Sequence, residues 1–439
     1  MKTYQYPERS AWADICARPV FEQQELMAGV RELLDFVQRS GDAAVRELTR
    51  RFDGIHLDDF FVSEPEFEAA IDQVDEELKD AIALAANNIR TFHNQQFHEV
   101  PPVDTARGVS CWRQNRPIEK VGLYIPGGTA PLFSSLLMLA IPAQLAGCQE
   151  IIISTPAGKS GKVHPAILYT AQFLGLKKVL KLGGAQAVAA MAYGTETVPN
   201  VYKIFGPGNQ YVTAAKILVQ EAGVAIDMPA GPSELLVIAD KQARPAFVAS
   251  DLLSQAEHGV DSQVIFVTDD QKVLEETLAA VEAQVQDLPR RETARAALAS
   301  SKAVLVADLN EAVAFSNTYA PEHLIIATEN ALELADYIIN AGSVFLGNWT
   351  PESVGDYASG TNHTLPTNGA ARAYSGVSLD SFQKKITFQR LDRRGIEEIG
   401  PAVVLMAEAE QLRAHADAVS LRLQALAREM EAADSQNTL

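Results

Sequence analysis

Cysteine is scarce in this sequence. Only Cys16, Cys111 and Cys148 occur among 439 residues. Three cysteines spaced so widely exclude a disulfide framework and a zinc site built from thiolates, and they fit a reducing compartment. Cys148 precedes the strand-like run Glu150–Thr155, so we interpret it as a small buried hydrophobic residue, with a catalytic thiol as the alternative.

Long apolar runs and excess positive charge are also missing. The longest apolar stretch, Leu132–Gly147, is interrupted by serine, proline and glutamine and is short for a membrane span. The N-terminus, MKTYQYPERS, lacks the apolar core of a signal peptide. The chain has 56 acidic and 37 basic residues and therefore a net charge of −19. This negative charge argues against nucleic acid or a membrane as a partner. We therefore expect a cytoplasmic protein.

The composition is that of an ordinary globular chain, with 47% apolar and 21% charged residues. Residues 1–102 form a predicted helical region. Within it, Glu22–Val37 and Asp42–Phe52 carry apolar residues at helical spacing and are separated by Ser40 and Gly41, and Glu66–Phe97 is a further long amphipathic pattern.

From about Val121 the pattern changes to short β-branched runs alternating with helical segments, which is typical of βαβ units. The fold class is therefore predicted to be α/β, with two tandem Rossmann-like parallel-sheet domains, the helical N-terminal region and a small extended and helical C-terminal tail. The predicted strands are 121–125, 150–155, 179–182 and 201–205 in the first series, and 234–240, 263–268, 303–308, 323–328 and 343–347 in the second. The predicted domains are 1–102, 121–230, 103–120 with 231–375, and the tail 376–439.

Three strand-to-helix turns of the first series carry glycine, at 126–128, 183–184 and 206–209. Helix N-termini behind such turns bind phosphates through free backbone N–H groups. The last turn begins as G-x-G, but Tyr211 occupies the third glycine position, so the dinucleotide fingerprint is incomplete. The turns favour a nucleotide at that edge of the sheet, and ordinary turn glycines are the alternative.

The segment Tyr319–Ile326, YAPEHLII, places Glu322 and His323 directly before an apolar run. Pro321 does not fit inside a regular ladder, and Ala320 before it is predicted to be extended. Two side chains that exchange protons would thus lie on a loop at the start of a strand, a position where α/β proteins often carry out chemistry. The alternative is a surface Glu beside a half-buried His.

Several nitrogen and oxygen ligands are candidates for a metal site. Gln255 and His258 are spaced i,i+3 and would share one helix face. Asp356 lies in a Gly/Ser-rich stretch, with His363 seven residues later, and His415 lies on a terminal helix. Together they suit a zinc site of N and O ligands, although spacing alone does not assemble them. The alternatives are a polar helix face, an Asx turn and packed histidines.

A set of longer motifs then occurs in a fixed order over about 300 residues and resembles the histidinol dehydrogenase family. The resemblance implies a zinc- and NAD-dependent oxidation of L-histidinol through L-histidinaldehyde to L-histidine, with one zinc per subunit and two NAD consumed. It also implies a homodimer with shared active sites. The motifs are YIPGGTAPLFSSLLMLAIPA, GGAQA, FGPGNQYV, IDMPAGPSE, SQAEHG, YAPEHL, GDYASGTNHTLPT and LRAHADAVSLR.

The same resemblance implies roles for single residues. The catalytic pair would be Glu322 and His323. The zinc ligands would be Gln255, His258, Asp356 and His415, which with the catalytic pair and Ser233, His363 and Glu410 would also contact the substrate. The NAD contacts would be Tyr124, Gln186 and Asn209. Two other functions stay open at this point: a paralogous zinc/NAD dehydrogenase of another small alcohol, and a zinc hydrolase, against which the glycine turns argue.

The tail carries a geometric expectation of its own. Glu410 and His415 are five residues apart, so on one unbroken helix they would point about 140° apart. Since both are assigned to one site, the helix is predicted to break near Gln411–Leu412. The resemblance implies that the tail crosses to the partner subunit, and a tail folded back on its own chain is the alternative.

Overall fold

The computed structural model describes residues 1–18, 23–127, 131–229 and 231–437, without the side chains of 23, 24 and 434–437. Three predicted positions therefore lie outside the described residues: Glu22 at a helix start, Gly128 in the first glycine turn, and Ala230 at a domain boundary. The chain forms two compact units. The main unit comprises Met1–Gln96 and Ile118–Phe382, and the small unit comprises Phe97–Pro117 and Gln383–Leu439.

Strands occur in both units. In chain order they are β1 (Lys2–Gln5), β2 (Val103–Ala106), β3 (Val109–Pro117), β4 (Lys120–Tyr124), β5 (Glu150–Ser154), β6 (Val179–Leu180), β7 (Lys203–Phe205), β8 (Ala225–Ile226), β9 (Glu234–Ala239), β10 (Gln263–Thr268), β11 (Lys302–Leu305), β12 (His323–Ala327), β13 (Ser343–Leu346) and β14 (Gln383–Leu391).

Helices connect most of these strands. They are α1 (Trp12–Ile15), α2 (Gln23–Phe52), α3 (Glu64–Ile71), α4 (Glu76–Asn94), α5 (Phe133–Ala146), α6 (Pro165–Phe173), α7 (Gly184–Tyr193), α8 (Gln210–Val219), α9 (Pro245–Ala256), α10 (Gln271–Gln284), α11 (Arg291–Ser300), α12 (Leu309–Tyr319), α13 (Ala331–Ala335), α14 (Glu352–Tyr357), α15 (Arg393–Ala409) and α16 (Arg413–Asn437).

The main unit contains two parallel sheets, which confirms the predicted α/β class. The larger has the order β1-β11-β10-β9-β12-β13 and the smaller the order β6-β5-β4-β7-β8. Strands β9 and β10 are buried along their whole length, so continuous apolar runs predicted them. Strand β1 was not predicted, because its residues are mostly exposed at the sheet edge and form no apolar run.

The N-terminal helices follow local signals. Gly41 interrupts α2 with φ 54° and ψ −133°, as the predicted break at Ser40 and Gly41 requires. The predicted pattern Glu66–Phe97 is two helices rather than one, because Asp75 caps α4 by accepting a hydrogen bond from the Leu78 N–H at 2.8 Å.

The small unit is built on an antiparallel sheet with the order β14-β3-β2. Residues 103–120 were predicted to join the second parallel-sheet domain, but 109–117 pair with 383–391 instead. The predicted extended part of the C-terminal tail is β14. The predicted break in the tail is confirmed, since α15 ends at Ala409, Gln411 has φ 61°, and α16 begins at Arg413.

Among the described residues, no helix combines the length and the apolar character needed to cross a membrane.

Candidate active site

The predicted catalytic pair lies where α12 passes into β12. Helix α12 ends at Tyr319, and Ala320 adopts a left-handed conformation with φ 56° and ψ 67°, its N–H bonding to the Ser316 carbonyl at 2.8 Å. The prediction that Ala320 is extended was therefore wrong. Helix C-termini commonly close with a left-handed residue, and this closure outweighs the preference imposed by Pro321.

His323 is the first residue of β12 and pairs in register with Leu235 of β9 and Ser343 of β13. The pair therefore lies at the amino ends of the strands, whereas open parallel sheets usually bind ligands at the carboxyl ends. At this edge the main chain of Glu234, which begins β9, faces both side chains.

The main chain of Glu234 holds the pair in place. Its N–H donates to Oε2 of Glu322 at 2.8 Å, and its carbonyl oxygen lies 3.1 Å from Nδ1 of His323. Because a carbonyl only accepts, Nδ1 carries the proton, and Nε2 of neutral His323 is an acceptor. Nε2 is buried and has no hydrogen-bond partner in the described part of the chain.

Glu234 is itself fixed by Arg18, which the sequence did not single out. The Arg18 guanidinium forms an ion pair with the Glu234 carboxylate, with Nη2 2.8 Å from Oε2, and donates to the Tyr319 carbonyl at 2.9 Å. The Asn368 N–H also bonds to Glu234 Oε1 at 2.9 Å. Arg18 thus joins the start of β9 to the end of α12 on either side of the catalytic pair.

Burial and neighbouring charges perturb both members of the pair. Burial raises the pKa of Glu322 to about 8, partly offset by His323. Burial by itself lowers the pKa of His323, but the carboxylates of Glu322, Glu352 and Asp356 raise it to about 10. Groups with strongly shifted pKa values that share one pocket are typical of catalytic sites.

A group of possible metal ligands surrounds His323. Ligand atoms of His258, Glu352 and Asp356 all lie within 4.8 Å of one another. Oδ1 of Asp356 is 3.5 Å from Nε2 of His323. Nitrogen and carboxylate donors are ligand types that zinc accepts, so this group is a candidate metal site.

Gln255 joins this group through its amide. In the orientation that satisfies both ends, the amide nitrogen donates to Oε1 of Glu352 at 2.5 Å, and the amide oxygen accepts from the Glu234 N–H at 3.1 Å. Gln255 lies in the last turn of α9, and His258 follows two residues after the helix end at Ala256, with its N–H bonded to the Gln255 carbonyl at 3.3 Å. The helix therefore ends before the predicted i,i+3 face is complete.

Sequence reasoning missed Glu352. Asp356 was expected in a loop or an Asx turn, but it lies in the short helix α14, which begins at Glu352. The i,i+4 spacing of the two carboxylates places them on one helix face and was the available signal. Glu352 is 1% exposed, its Oε2 has no partner among the described residues, and burial holds its pKa well above the ordinary range.

The donor group fits a cation. Glu322, Glu352 and Asp356 bring three carboxyl groups close together. The nearby guanidinium of Arg18 does not neutralise them, because it is paired with Glu234. The His323 imidazole balances at most one of these negative charges, and buried carboxylates without a counter-charge are strongly destabilising, so a divalent cation would offset the rest.

His363 lies beside Asp356, and Ser233 directly precedes Glu234. Nδ1 of His363 is 2.8 Å from the Asp356 carbonyl, and its Nε2 is 2.9 Å from Oγ of Ser135 on α5. Ser233 precedes Glu234, and its carbonyl accepts from the Gln263 N–H at 3.2 Å. The structure therefore brings together Gln255, His258, Glu322, His323, Asp356 and His363, and Ser233 is next to Glu234 in sequence.

The two other predicted site residues belong to the small unit. Glu410 follows the end of α15, and His415 lies in the first turn of α16. Both side chains are exposed.

A second site lies at the carboxyl ends of the smaller sheet. A cavity of about 830 Å³ is lined by all three predicted NAD contacts, Tyr124, Gln186 and Asn209. The Gly184 N–H donates to the Tyr124 hydroxyl at 3.1 Å, and the Gln186 amide donates to Asp53 at 3.1 Å. Asn209 caps α8 by accepting from the Tyr211 and Val212 N–H groups at 3.1 Å each.

Comparisons with known proteins agree on one family. The histidinol dehydrogenase family model matches residues 16–423. A curated histidinol dehydrogenase of Bacteroides fragilis is 58% identical over 424 residues, which are 97% of this chain and 99% of the relative. The chloroplastic histidinol dehydrogenase of Arabidopsis thaliana is 51% identical, and the match covers 96% of this chain and 91% of the relative. The crystal structure of histidinol dehydrogenase from Elizabethkingia anophelis superposes with a TM-score of 0.95 at 55% identity, covering 97% and 98% of the two chains. The chain therefore belongs to the histidinol dehydrogenase family, and it is an oxidoreductase.

Proposed function

We propose that this protein is a zinc-containing enzyme that oxidises L-histidinol through L-histidinaldehyde to L-histidine, reducing two NAD per turnover. The observation that carries the proposal is the buried pair Glu322 and His323, which shares one pocket with the donor group of His258, Glu352 and Asp356. A base, a second proton acceptor and a metal-type donor set are the groups that an alcohol oxidation followed by an aldehyde oxidation requires.

In the first oxidation His323 accepts the hydroxyl proton at Nε2. Its Nδ1–H bond to the Glu234 carbonyl fixes the ring and the tautomer, so Nε2 faces the pocket as an acceptor. The surrounding carboxylates raise the pKa of His323, and pairing them with a cation returns it toward the range in which an imidazole is neutral and basic.

In the second oxidation Glu322 activates the water that hydrates the aldehyde. The Glu234 N–H holds one carboxylate oxygen, which sets the orientation of the group. Burial raises the pKa of Glu322 to about 8, which makes it a stronger base than an ordinary carboxylate.

Gln255, His258 and Asp356, with His415 contributed by the second subunit of a homodimer, would hold the zinc. Zinc, when bound, would anchor the imidazole and amino nitrogens of the substrate. This anchoring keeps the aldehyde in place between the two oxidations. Ser233, His363 and Glu410 would contact the same substrate.

The cavity at the smaller sheet would bind NAD, which accepts the hydride in each oxidation. Tyr124, Gln186 and Asn209 would contact it, and residues at the N-termini of α7 and α8, the helix ends that favour phosphate groups, line the cavity. Tyr211 occupies the third glycine position of the usual dinucleotide fingerprint, so we propose that NAD binds here in a mode that differs from the usual one.

The test is incubation of the purified protein with histidinol and NAD, following NADH absorbance, together with metal analysis. Two NADH per histidinol consumed, with about one zinc per chain, is the expected result. A single NADH per alcohol, or turnover of another small alcohol only, would indicate a paralogous dehydrogenase. Hydrolysis without NADH would indicate a zinc hydrolase.

A further inference from the structure

A buried ion pair lies behind the third glycine turn, outside both sites described above. Nζ of Lys216, on α8, is 2.5 Å from Oδ1 of Asp227, which follows β8, and the two side chains are 3% and 1% exposed. An ion pair this deeply buried is seldom a net source of stability, because two charges lose their hydration and an apolar pair of similar volume often serves as well.

Both partners bind the backbone of the same residue, one on each of its two peptide groups. Nζ of Lys216 donates to the Gly206 carbonyl at 2.7 Å, and the Gly206 N–H donates to Oδ2 of Asp227 at 2.8 Å. Oδ1 of Asp227 also accepts from the Met228 N–H at 2.7 Å. The donor and the acceptor of Gly206 are therefore both held by charged groups, and charge-assisted hydrogen bonds are stronger and more directional than neutral ones.

Gly206 is a position where small shifts matter. It has φ 119°, a conformation that L-residues rarely adopt, and a Cβ added to it would lie 2.0 Å from the Tyr124 carbonyl oxygen. The turn thus packs directly on the main chain of Tyr124. Three residues later Asn209 caps the N-terminus of α8, and Tyr124 and Asn209 both line the cavity of about 830 Å³.

We propose that Lys216 and Asp227 are positioning residues for the cofactor. By holding both sides of Gly206, the pair sets the turn 206–209 against Tyr124 and fixes the spacing between Tyr124 and Asn209 across the cavity. The inference rests on the proposed assignment of this cavity to NAD. It gives the buried charges a role in binding that an apolar pair would not provide, since only polar groups can orient the two peptide groups on either side of the Gly206 Cα.

The test compares Lys216→Met, Asp227→Asn and the double variant Lys216→Met/Asp227→Leu in the full-length protein. Kd for NADH from fluorescence titration, KM for histidinol and Tm are measured for each. We expect each variant to raise the NADH Kd about 10-fold, the loss of roughly one well-placed hydrogen bond, while KM for histidinol changes less than about twofold. Asp227→Asn preserves volume, so it keeps the test open if Lys216→Met does not fold.

The double variant separates positioning from stability. Removing both charges leaves no unpaired ion in the core, so its Tm should recover relative to Lys216→Met, whereas its NADH affinity should not. Recovery of NADH affinity together with Tm would overturn the inference. The matched control is Val219→Ala on the same helix. Val219 is fully buried, and its apolar side chain cannot form a hydrogen bond to Gly206. An equal loss of NADH affinity in that control would also overturn the inference.

A further variant separates this inference from the proposed function. Gln186→Ala should weaken NADH binding if the cavity holds the cofactor. An unchanged NADH Kd in Gln186→Ala would remove NAD from the cavity and the positioning role with it. Weakened binding in Gln186→Ala but not in the ion-pair variants would overturn the positioning role alone.

Discussion

Nε2 of His323 lies 3.5 Å from Oδ1 of Asp356, so the proposed base and a proposed zinc ligand face each other in one buried pocket. The opposite ring nitrogen is bound to the Glu234 carbonyl, which holds the ring, while Nε2 has no hydrogen-bond partner among the described residues. The proposed proton transfer and the proposed metal binding therefore involve neighbouring side chains, and substitutions at single residues can separate the two roles.

Replacing the base should stop the first oxidation without releasing the metal. His323→Asn should lower the rate of the first hydride transfer by roughly 100- to 10,000-fold, the range for a lost general base. Single-turnover NADH formation and zinc content are measured together, with zinc expected to be unchanged. His56→Asn, at a side chain that is 70% exposed, is the control. Near-normal histidinol oxidation in His323→Asn would remove His323 from the mechanism.

Glu322→Gln should divide the two half-reactions. The amide keeps an oxygen for the Glu234 N–H, so the local structure should persist, but it cannot take a proton from water. Oxidation of supplied histidinaldehyde should therefore fall more than oxidation of histidinol to the aldehyde. The two rates are measured separately with NAD in excess, and equal losses in both would contradict this division of roles.

Glu352 should support metal binding through Gln255. Glu352→Ala leaves the Gln255 amide without its partner, and loss of such outer contacts typically weakens metal binding about 10- to 100-fold. Zinc affinity is measured by competition with a chromogenic chelator, which needs no activity. The control is Glu257→Gln, which removes a carboxylate between Gln255 and His258 that is not part of the donor group. Zinc affinity equal to that of the wild type in Glu352→Ala would contradict the role.

Shared active sites can be tested by complementation. If His415 serves the partner subunit, a mixed dimer of His323→Asn and His415→Asn chains contains one site with both lesions and one with neither. Each variant alone should be inactive, and co-refolded mixtures should recover activity approaching half that of the wild type per mixed dimer. Mixed dimers that form but stay inactive would mean that His415 serves its own subunit.

His93 should make stability depend on pH. It is fully buried on α4, with Nδ1 3.1 Å from Oε1 of Gln96, and burial lowers its pKa. In the unfolded chain the His93 imidazole takes up a proton near pH 6.5, whereas in the folded chain it does so only at lower pH. The contribution of neutral His93 to the free energy of unfolding is therefore complete above about pH 6.5 and is lost as the pH falls below it.

His93→Leu should therefore flatten the fall in unfolding free energy between pH 7.5 and about pH 5, measured by urea denaturation at several pH values. Ile89→Val, one turn earlier on the same helix, should lower stability by a similar amount at each pH. An unchanged slope in His93→Leu would show that other groups cause the acid dependence.

Local sequence determined the elements and many of the site residues of this protein. Apolar runs predicted β9 and β12, Gly41 and Gln411 mark real breaks, and motif resemblance named the residues that meet at the amino end of the larger sheet. These features depend on neighbouring residues, and neighbours in sequence stay neighbours in the fold.

Only the tertiary structure decided which distant groups meet. The Glu234 main chain contacts His323, 89 residues away in sequence, and β14 pairs with the distant strand β3. The left-handed Ala320, the Glu352 contact with Gln255 and the Lys216–Asp227 pair were equally invisible to periodicity. Hydrophobic pattern specifies which face of an element is buried, whereas a hydrogen bond or ion pair within a few ångströms depends on how the buried faces pack together.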